Sequence, residues 1–416
     1  MQHVMVIGGG VVGLTTAWSL LEAGFEVSLV ERESALAQGA SRANGGQLSY
    51  RYVSPLADTG VPLKALRWLL EPDGPLRFKP EWSLHQWRWL ASFLSNCRGS
   101  VNRRTTQRLL ALGAFSQASF SGLYARAELE GVALRTPGKL VIYRNAGEFA
   151  TVASRLRGDP HNVEQVLDYQ ECLRIEPALA HSPVPLAGGV FTAGEAVADC
   201  YALSLQLAER LRAHSHFRGF VQAQAQGFVI RGDRAVALRT DQGERDAHAF
   251  VVAAGLQSRT LALTAGIHLP IYPLKGYSLT APIGPEHKPP VVSVTDIEKK
   301  ILYAQIGNEL RVAAMADLVG EDTRIDPARM ASLYRSVQAT FPQAADYDSA
   351  EEWAGLRPAT PSGAPILGAT PVSGLWLNVG HGALGFTMSF GSARIVADLI
   401  AGRPSPLSLD GLQLRG

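Results

Sequence analysis

At 416 residues the chain is longer than one hydrophobic core usually fills, so two domains are expected. Its 39 Lys and Arg against 37 Asp and Glu leave a net charge of +2, which gives no electrostatic footprint for nucleic acid. Cys97, Cys172 and Cys200 are the only cysteines, and they have neither metal-ligand spacing nor a C-x-x-C or C-x4-C pairing. That excludes a dithiol reductase and suits a reducing compartment. The apolar start is itself the first strand, not a cleavable leader, and no apolar run of membrane-spanning length is expected. A cytoplasmic protein is the resulting expectation.

In chain order, His3 to Ile7 is a short β-branched run suited to a buried parallel strand. Gly8, Gly10 and Gly13 follow in G-x-G-x-x-G spacing. The first glycine allows the turn, the second leaves the backbone open to a pyrophosphate, and the third lets the helix approach the strand. Val11 and Val12 lie at the helix start, where free N–H groups and the macrodipole favour phosphate. The helix runs to Ala23 and Gly24 ends it. A second strand spans Glu26 to Val30, and Glu31, about twenty residues past the turn, is placed to hold a ribose diol, with Arg32 beside it. Glu31 disfavours a 2′-phosphate and so NADP, but it does not separate NAD from FAD.

Residues 34–55 are rich in small and hydroxyl side chains. Gly45 and Gly46 permit close approach to a flat ring, and Ser41 and Asn44 can donate to phosphate or ring edges. An ordinary polar loop reads equally well from composition. Trp68, Trp82, Trp87 and Trp89 then cluster within 62–94, with Trp87, Leu90, Ala91 and Leu94 at helical spacing. That face either packs on its own domain or touches a membrane, with Trp and Arg88 at the interface.

Helices are expected over 105–130, 149–156 and 201–214, the last with Asp199 as its N-cap. Strands are expected at 138–144, 188–191, 220–230, 235–240 and 247–252, and a second set over 268–320. Asp326 caps a helix to Phe341, with Pro327 at its first position. Arg357 lies between a strand-like start and a Pro-rich turn, where a surface ion pair is the commoner reading. Leu375 to Val379 is a buried strand, and the turn Gly380-His381-Gly382-Ala383-Leu384-Gly385 leads into a helix reaching Ile400.

The run from Gly8 to Glu31, followed by Ala40-Ser41-Arg42-Ala43-Asn44-Gly45-Gly46-Gln47, resembles the FAD-binding start of the D-amino-acid oxidase superfamily. It is most similar to the bacterial D-amino-acid dehydrogenases, which are quinone-linked. Gly60-Val61-Pro62-Leu63-Lys64, Tyr272-Pro273-Leu274-Lys275-Gly276-Tyr277, Gly355-Leu356-Arg357-Pro358 and Gly380-His381-Gly382 extend the likeness over nearly the whole chain. The resemblance implies a Rossmann-type FAD-binding domain (1–60, 150–258, 350–416) interleaved with an α+β substrate domain on a mainly antiparallel sheet (61–149, 259–349). It implies that Gln47 and Leu48 continue the flavin loop and that the backbone near Val221 meets the adenine. Ala253, Ala254 and Gly255 would close the nucleotide half.

It also implies that Arg357 grips a substrate carboxylate, helped by a tyrosine hydroxyl from Tyr50, Tyr52 or Tyr277. With a flavin in place, the turn Gly380–Gly385 and the helix start at Thr387 and Met388 would set N–H groups against its polar end. His381 would either contact the ring or serve the turn. No Cys stands in that turn, and Asn44 stands where a linking His would be, so non-covalent FAD is expected. The implied reaction is hydride transfer from a D-amino acid to flavin, giving a 2-oxo acid and ammonia, with electrons passed to a quinone or other carrier. The preference for D rests on resemblance alone.

Tyr50-Arg51-Tyr52 departs from the Pro-Gly-Tyr type of turn usual in the family. Arg51 either receives an acidic substrate such as D-glutamate or is a solvated loop charge, and a D-hydroxyproline-type imino acid is a further alternative. An NAD(P)H-dependent monooxygenase would need a reductant site and usually a Gly-Asp before the last helix. Gly380-His381-Gly382 stands there instead. A flavoprotein that binds without turnover is the remaining alternative, which Arg357 in a substrate-facing motif argues against.

Overall fold

The computed structural model describes residues 1–71 and 74–414. The first half of the chain forms β1 (His3–Ile7), α1 (Val11–Glu22), β2 (Glu26–Glu31), β3 (Gln47–Leu48), α2 (Val61–Leu70), α3 (Leu84–Asn96), α4 (Gly99–Ala127), β4 (Lys139–Tyr143) and α5 (Ala146–Arg157). Next come β5 (Gln165–Leu167), α6 (Tyr169–Ile175), β6 (Gly188–Thr192), β7 (Ala196–Val197), α7 (Cys200–Ala213), β8 (Phe217–Gln222), β9 (Ala225–Arg231), β10 (Arg234–Thr240), β11 (Gly243–Asp246) and β12 (Ala249–Val252). The remainder is α8 (Ser258–Leu263), β13 (Tyr272–Pro282), β14 (Ser293–Asp296), β15 (Ile301–Ile306), β16 (Glu309–Asp317), α9 (Pro327–Thr340), β17 (Glu351–Ala359), β18 (Ile366–Ala369), β19 (Leu375–Val379) and α10 (Gly385–Ile400).

The near-continuous apolar runs form the centre of a six-stranded sheet, ordered β18-β19-β12-β1-β2-β8. β1 is parallel to both β12 and β2, with Ile7 opposite Val252 and Val30. Because side chains alternate along a strand, β1 feeds two cores. Val4 and Val6 pack with α1, α4 and α10, and Met5 and Ile7 pack with Phe228 and Leu238 of the three-stranded sheet β11-β10-β9. Two-sided burial of this kind is what an all-apolar parallel strand requires.

The second sheet has eight strands in the order β17-β13-β16-β15-β14-β4-β6-β5, antiparallel except where β14 runs beside β4. One face is backed by α9 and α6, through Leu333 and Val337 against Leu279, Val312 and Tyr303. This is the interleaved two-part α/β architecture anticipated from the sequence. The boundaries differ: β5, β6 and β17 join the eight-stranded sheet, so residues 165–192 and 351–359 go with it and not with the nucleotide half. Strand pairing across the molecule decides this, and local sequence does not record it.

Both expected aspartate caps form. Asp199 Oδ1 accepts the N–H groups of Tyr201 and Ala202 at 2.8 and 3.0 Å, and Asp326 Oδ1 accepts that of Ala328 at 2.9 Å. In α3 the buried side is Gln86, Trp89 and Asn96, while Trp87 and Leu94 are about half exposed. The stripe read at Trp87, Leu90, Ala91 and Leu94 divides: Leu90 packs on the cluster of Trp89, Tyr272 and Leu274 and Trp87 meets Phe78 edge-on, while Ala91 and Leu94 stand exposed. One stretch, Gly382–Ile400, is long and apolar enough to cross a membrane by composition, contrary to expectation, but most of it is buried and α10 packs on α1 and α4.

Candidate active site

The carboxyl ends of β1, β2 and β12 converge on the glycine turn. Gly8 has φ +115°, and a Cβ there would lie 2.5 Å from the Ala253 carbonyl oxygen. A Cβ on Gly13 would overlap the Gly8 carbonyl oxygen, so the helix can approach the strand only with glycine there. Gly10 differs: its Cβ would meet only Ser41 Oγ, at 3.3 Å, and otherwise opens into the cavity. Glu31 Oε2 accepts the Gly9 N–H at 2.6 Å, and Ser41 Oγ accepts the Val11 N–H at 3.0 Å. No acid stands in the first turn of α1 to cancel its positive end. Arg32 pairs with Glu33 at 3.0 Å at the rim. Val12 and Ala253–Gly255 line the same cavity. Val221 does not: it lies opposite Val30 inside the sheet, and the lining on this edge begins at Ala223.

The cavity, about 2310 Å³, runs from this cradle across the free face of the eight-stranded sheet. Register sets that face. Trp353, Ser278, Ala313, Leu302, Thr295 and Val141 lie directly opposite one another on successive strands, and all six line the cavity. The segment 43–51 crosses above them, tied in spatial order to β13, β16, β15, β14 and β4. Ser278 Oγ donates to the Ala43 carbonyl at 2.7 Å on β13, and Arg311 Nη1 donates to the Asn44 carbonyl at 3.0 Å on β16. Gly45 sits on Leu302 of β15, Gln47 bonds Ser293 of β14, and Lys139 Nζ of β4 donates to Gln47 Oε1 at 2.8 Å. Asn44 Oδ1 accepts the Gly46 N–H at 2.9 Å, with Gly46 at φ +64°, so its carboxamide oxygen closes the turn instead of reaching a ring edge.

Arg357 stands on β17 opposite Leu274 of β13. Its Nη1 donates to the Met315 carbonyl at 2.7 Å. Met315 has φ +67°, where β13 and β16 slip register between Lys275 and Tyr277. A non-glycine residue held in that region carries local strain. Gly276 lies under the guanidinium, where any Cβ would overlap it. Asp317, the acid that acts on Arg357, is itself bound to Arg329 at 2.6 Å in a buried pair. Among the described residues no carboxylate lies within ion-pair distance of Arg357. Burial lowers its pKa from the ordinary value, yet a guanidinium stays protonated. The result is a cation at the cavity wall whose open edge suits a carboxylate.

The other expected site residues divide. Gly380 (φ +78°), Gly382 (φ +56°), Ala383, Leu384, Gly385 and Thr387 line the cavity where α10 starts without a side-chain cap. Thr387 Oγ1 donates to the Gln47 carbonyl at 3.2 Å and joins this turn to the crossing segment. Met388 and Leu48 are fully buried in the core that α1 and α10 share, Leu48 because it alternates with Gln47 and Met388 because it lies on the inner side of α10. His381 borders the cavity as well; its ring turns onto Ser392 Oγ, 3.0 Å away, and burial holds its pKa down at about 4, so the ring is neutral there. Tyr277 is buried with Leu279 and Ala281 on the opposite sheet face from Arg357. Tyr50 is also buried, in the first core, with its hydroxyl unpartnered among the described residues. Only Tyr52 and Arg51 of that triplet open to the cavity. Sequence reasoning missed Lys139, whose one signal was a single charge in the apolar run Lys-Leu-Val-Ile-Tyr. It also missed the Met315 carbonyl, which no residue type announces.

The cradle separates two glycine roles. Gly13→Ala is expected to destabilise the fold through the Gly8 carbonyl clash, read as a fall in Tm of the cofactor-free protein. Gly10→Ala is expected to leave that Tm nearly unchanged and to weaken cofactor binding at least tenfold in a flavin titration.

Residues 3–399 match the family model described as FAD dependent oxidoreductase. D-amino acid dehydrogenase 2 of Pseudomonas aeruginosa is 48% identical over 415 residues, covering 100% of this chain and 99% of that protein. D-amino acid dehydrogenase of Paramagnetospirillum magneticum is 42% identical over 423 residues, covering 99% and 98%. Among solved structures, glycine oxidase from Geobacillus kaustophilus superposes with a TM-score of 0.76 at 21% identity, covering 100% of this chain and 99% of that one. Iminodiacetate oxidase from Chelativorans sp. BNC1 gives 0.73 at 18%, covering 99% and 98%. FAD fits the residues present: Gly10 leaves space at the helix start, Glu31 faces the same turn, and the cavity continues from there to Arg357. The chain therefore belongs to the family of FAD-dependent oxidoreductases, alongside the D-amino acid dehydrogenases.

Proposed function

We propose that the protein is a D-amino acid dehydrogenase that converts its substrate to a 2-oxo acid and ammonia and delivers two electrons to a quinone or similar carrier. The observation that carries this reading is Arg357, a cation with no protein counter-ion among the described residues, facing the cofactor cavity. FAD, when bound, supplies the acceptor for the hydride that leaves Cα. Arg357 binds the substrate carboxylate through its fork, and Met315 and Gly276 fix the plane of that fork. Such positioning is worth up to roughly 7–11 kcal/mol in well-oriented systems. The amine enters neutral and loses one N–H proton as the Cα–N bond becomes an imine, which water hydrolyses. The choice of D over L follows the names of the relatives. Arg51 opens to the cavity with no ion-pair partner among the described residues, which favours an acidic side chain on the substrate.

The acceptor reading rests on the cavity mouth. Trp68, Leu69, Trp87, Leu90 and Leu94 line it, and Leu63, Trp82 and Leu84 stand exposed nearby with Arg67 and Arg88 among them. Exposed Trp and Leu mixed with Arg fit a membrane interface, from which a lipid-dissolved quinone can enter.

Anaerobic mixing with a panel of D- and L-amino acids, followed by flavin absorbance, tests the reaction. Bleaching by D-isomers supports it, and bleaching by none overturns it. Arg357→Lys keeps the charge and loses the fork, so kcat/KM should fall roughly 10- to 100-fold, equivalent to about 1.5–3 kcal/mol. Arg51→Ala should weaken acidic D-amino acids far more than D-alanine; equal losses would remove Arg51 from substrate recognition. In sedimentation with anionic phospholipid vesicles the protein should pellet, and the double variant Trp82→Ser, Trp87→Ser should pellet less. A wild-type protein that stays in the supernatant would rule out the membrane contact.

A further inference from the structure

Lys139 is 1% exposed, the only charged residue on β4, and lies on the cavity side of the strand with Val141 and Tyr143. Its Nζ donates to Gln47 Oε1 at 2.8 Å and to Ser49 Oγ at 3.2 Å, and stands 3.9 Å over the Tyr52 ring. Among the described residues no carboxylate lies within ion-pair distance of it. Glu195 acts on it from farther away; one of its oxygens accepts the Arg51 N–H at 2.9 Å, and the other has no hydrogen-bond partner among the described residues. Burying an ammonium without a direct counter-ion costs several kcal/mol. A hydrogen bond to an amide and a hydroxyl would be met as well by a neutral donor. The charge therefore calls for a reason outside the local packing.

We propose that Lys139 is a positioning residue for the cofactor, whose buried ammonium pins the Gln47–Tyr52 segment to the eight-stranded sheet and supplies positive charge beside the bound flavin, favouring its reduced, anionic form. Gln47 is the link. Its side chain holds Lys139, and its carbonyl accepts from Thr387 of the glycine turn, so the cation lies one residue behind the segment that lines the cofactor cavity. Two electrons and one proton added to a neutral flavin ring leave one negative charge on it. A cation in a water-poor wall stabilises that charge more than it could in bulk solvent. Burial lowers the Lys139 pKa to about 7 while Glu195 works against that fall, so a negative charge arriving in the cavity would draw the site toward its protonated form. Arg357 is another cation on this sheet face with no carboxylate at ion-pair distance among the described residues.

The test uses the full-length FAD-loaded protein and measures the flavin midpoint potential by dye-coupled reductive titration with no amino acid present. Failure of the D-amino acid reading would leave the result untouched. Lys139→Met should lower the ratio of reduced- to oxidised-flavin affinity at least tenfold, about 30 mV for a two-electron couple. Lys139→Arg, which keeps the charge, should restore most of it. Gln47→Met, which removes the tie and keeps the charge, should weaken FAD binding with little change in potential. If the Met variant does not fold, Lys139→Gln, which keeps a donor for Gln47, carries the same expectation. A neutral variant with an unchanged potential would overturn the proposal, as would an Arg variant displaced as far as the neutral one.

Discussion

A polar chain segment has to cross the face of a sheet here, in a region where an unpaired backbone group is expensive. Ser278 and Arg311 donate to the Ala43 and Asn44 carbonyls, the Ala198 N–H to that of Gly46 and Thr387 to that of Gln47, while Ser293 and Lys139 hold the Gln47 side chain. The glycines at 45 and 46 keep the segment close to Leu302 and Ile306. Once the crossing is fixed, the segment joins the α10 turn through Gln47 and Thr387, and the cofactor cavity acquires its floor and one wall.

The two halves of the molecule meet their electrostatic needs differently. In the nucleotide half no acid stands in the first turn of α1, and Ser41 and the Glu31 carboxylate take the Val11 and Gly9 N–H groups beside it. In the sheet half, Arg357 and Lys139 are held by oxygen atoms that carry no formal charge: a strained main-chain carbonyl, an amide and a hydroxyl. Neutral acceptors orient a cation without neutralising it, so its field stays available to whatever occupies the cavity. Elsewhere the same sheet does the opposite. Arg329 and Asp317 form a closed buried pair, and that region is structural.

Local sequence was legible wherever a backbone requirement admits few residue types. Gly8 and Gly13 announced the turn at the end of β1 because a tight turn and a close helix each restrict the choice. Asp199 and Asp326 announced helix starts because their oxygens satisfy otherwise orphaned N–H groups. Residues read only as belonging to the right stretch fared less well. Tyr50, Leu48 and Met388 all lie within a few positions of cavity-lining residues, yet each points into a core. A strand turns successive side chains to opposite faces, and a helix spreads them around its axis, so proximity in sequence does not carry proximity to the site.

By itself the sequence determined the nucleotide-binding start, the succession of helices and strands and, through its motifs, the resemblance to a flavin family. It did so because periodicity, caps and glycine turns are written within a few residues of one another. Only the tertiary structure decided which face of β13 looks at the cavity, that the His381 ring turns onto Ser392, and that β5, β6 and β17 belong to the eight-stranded sheet. The same holds for Lys139, whose meaning depends on Gln47, 92 positions away in the chain. Register between distant strands sets these relations, and register is a property of pairs of segments that no single segment records.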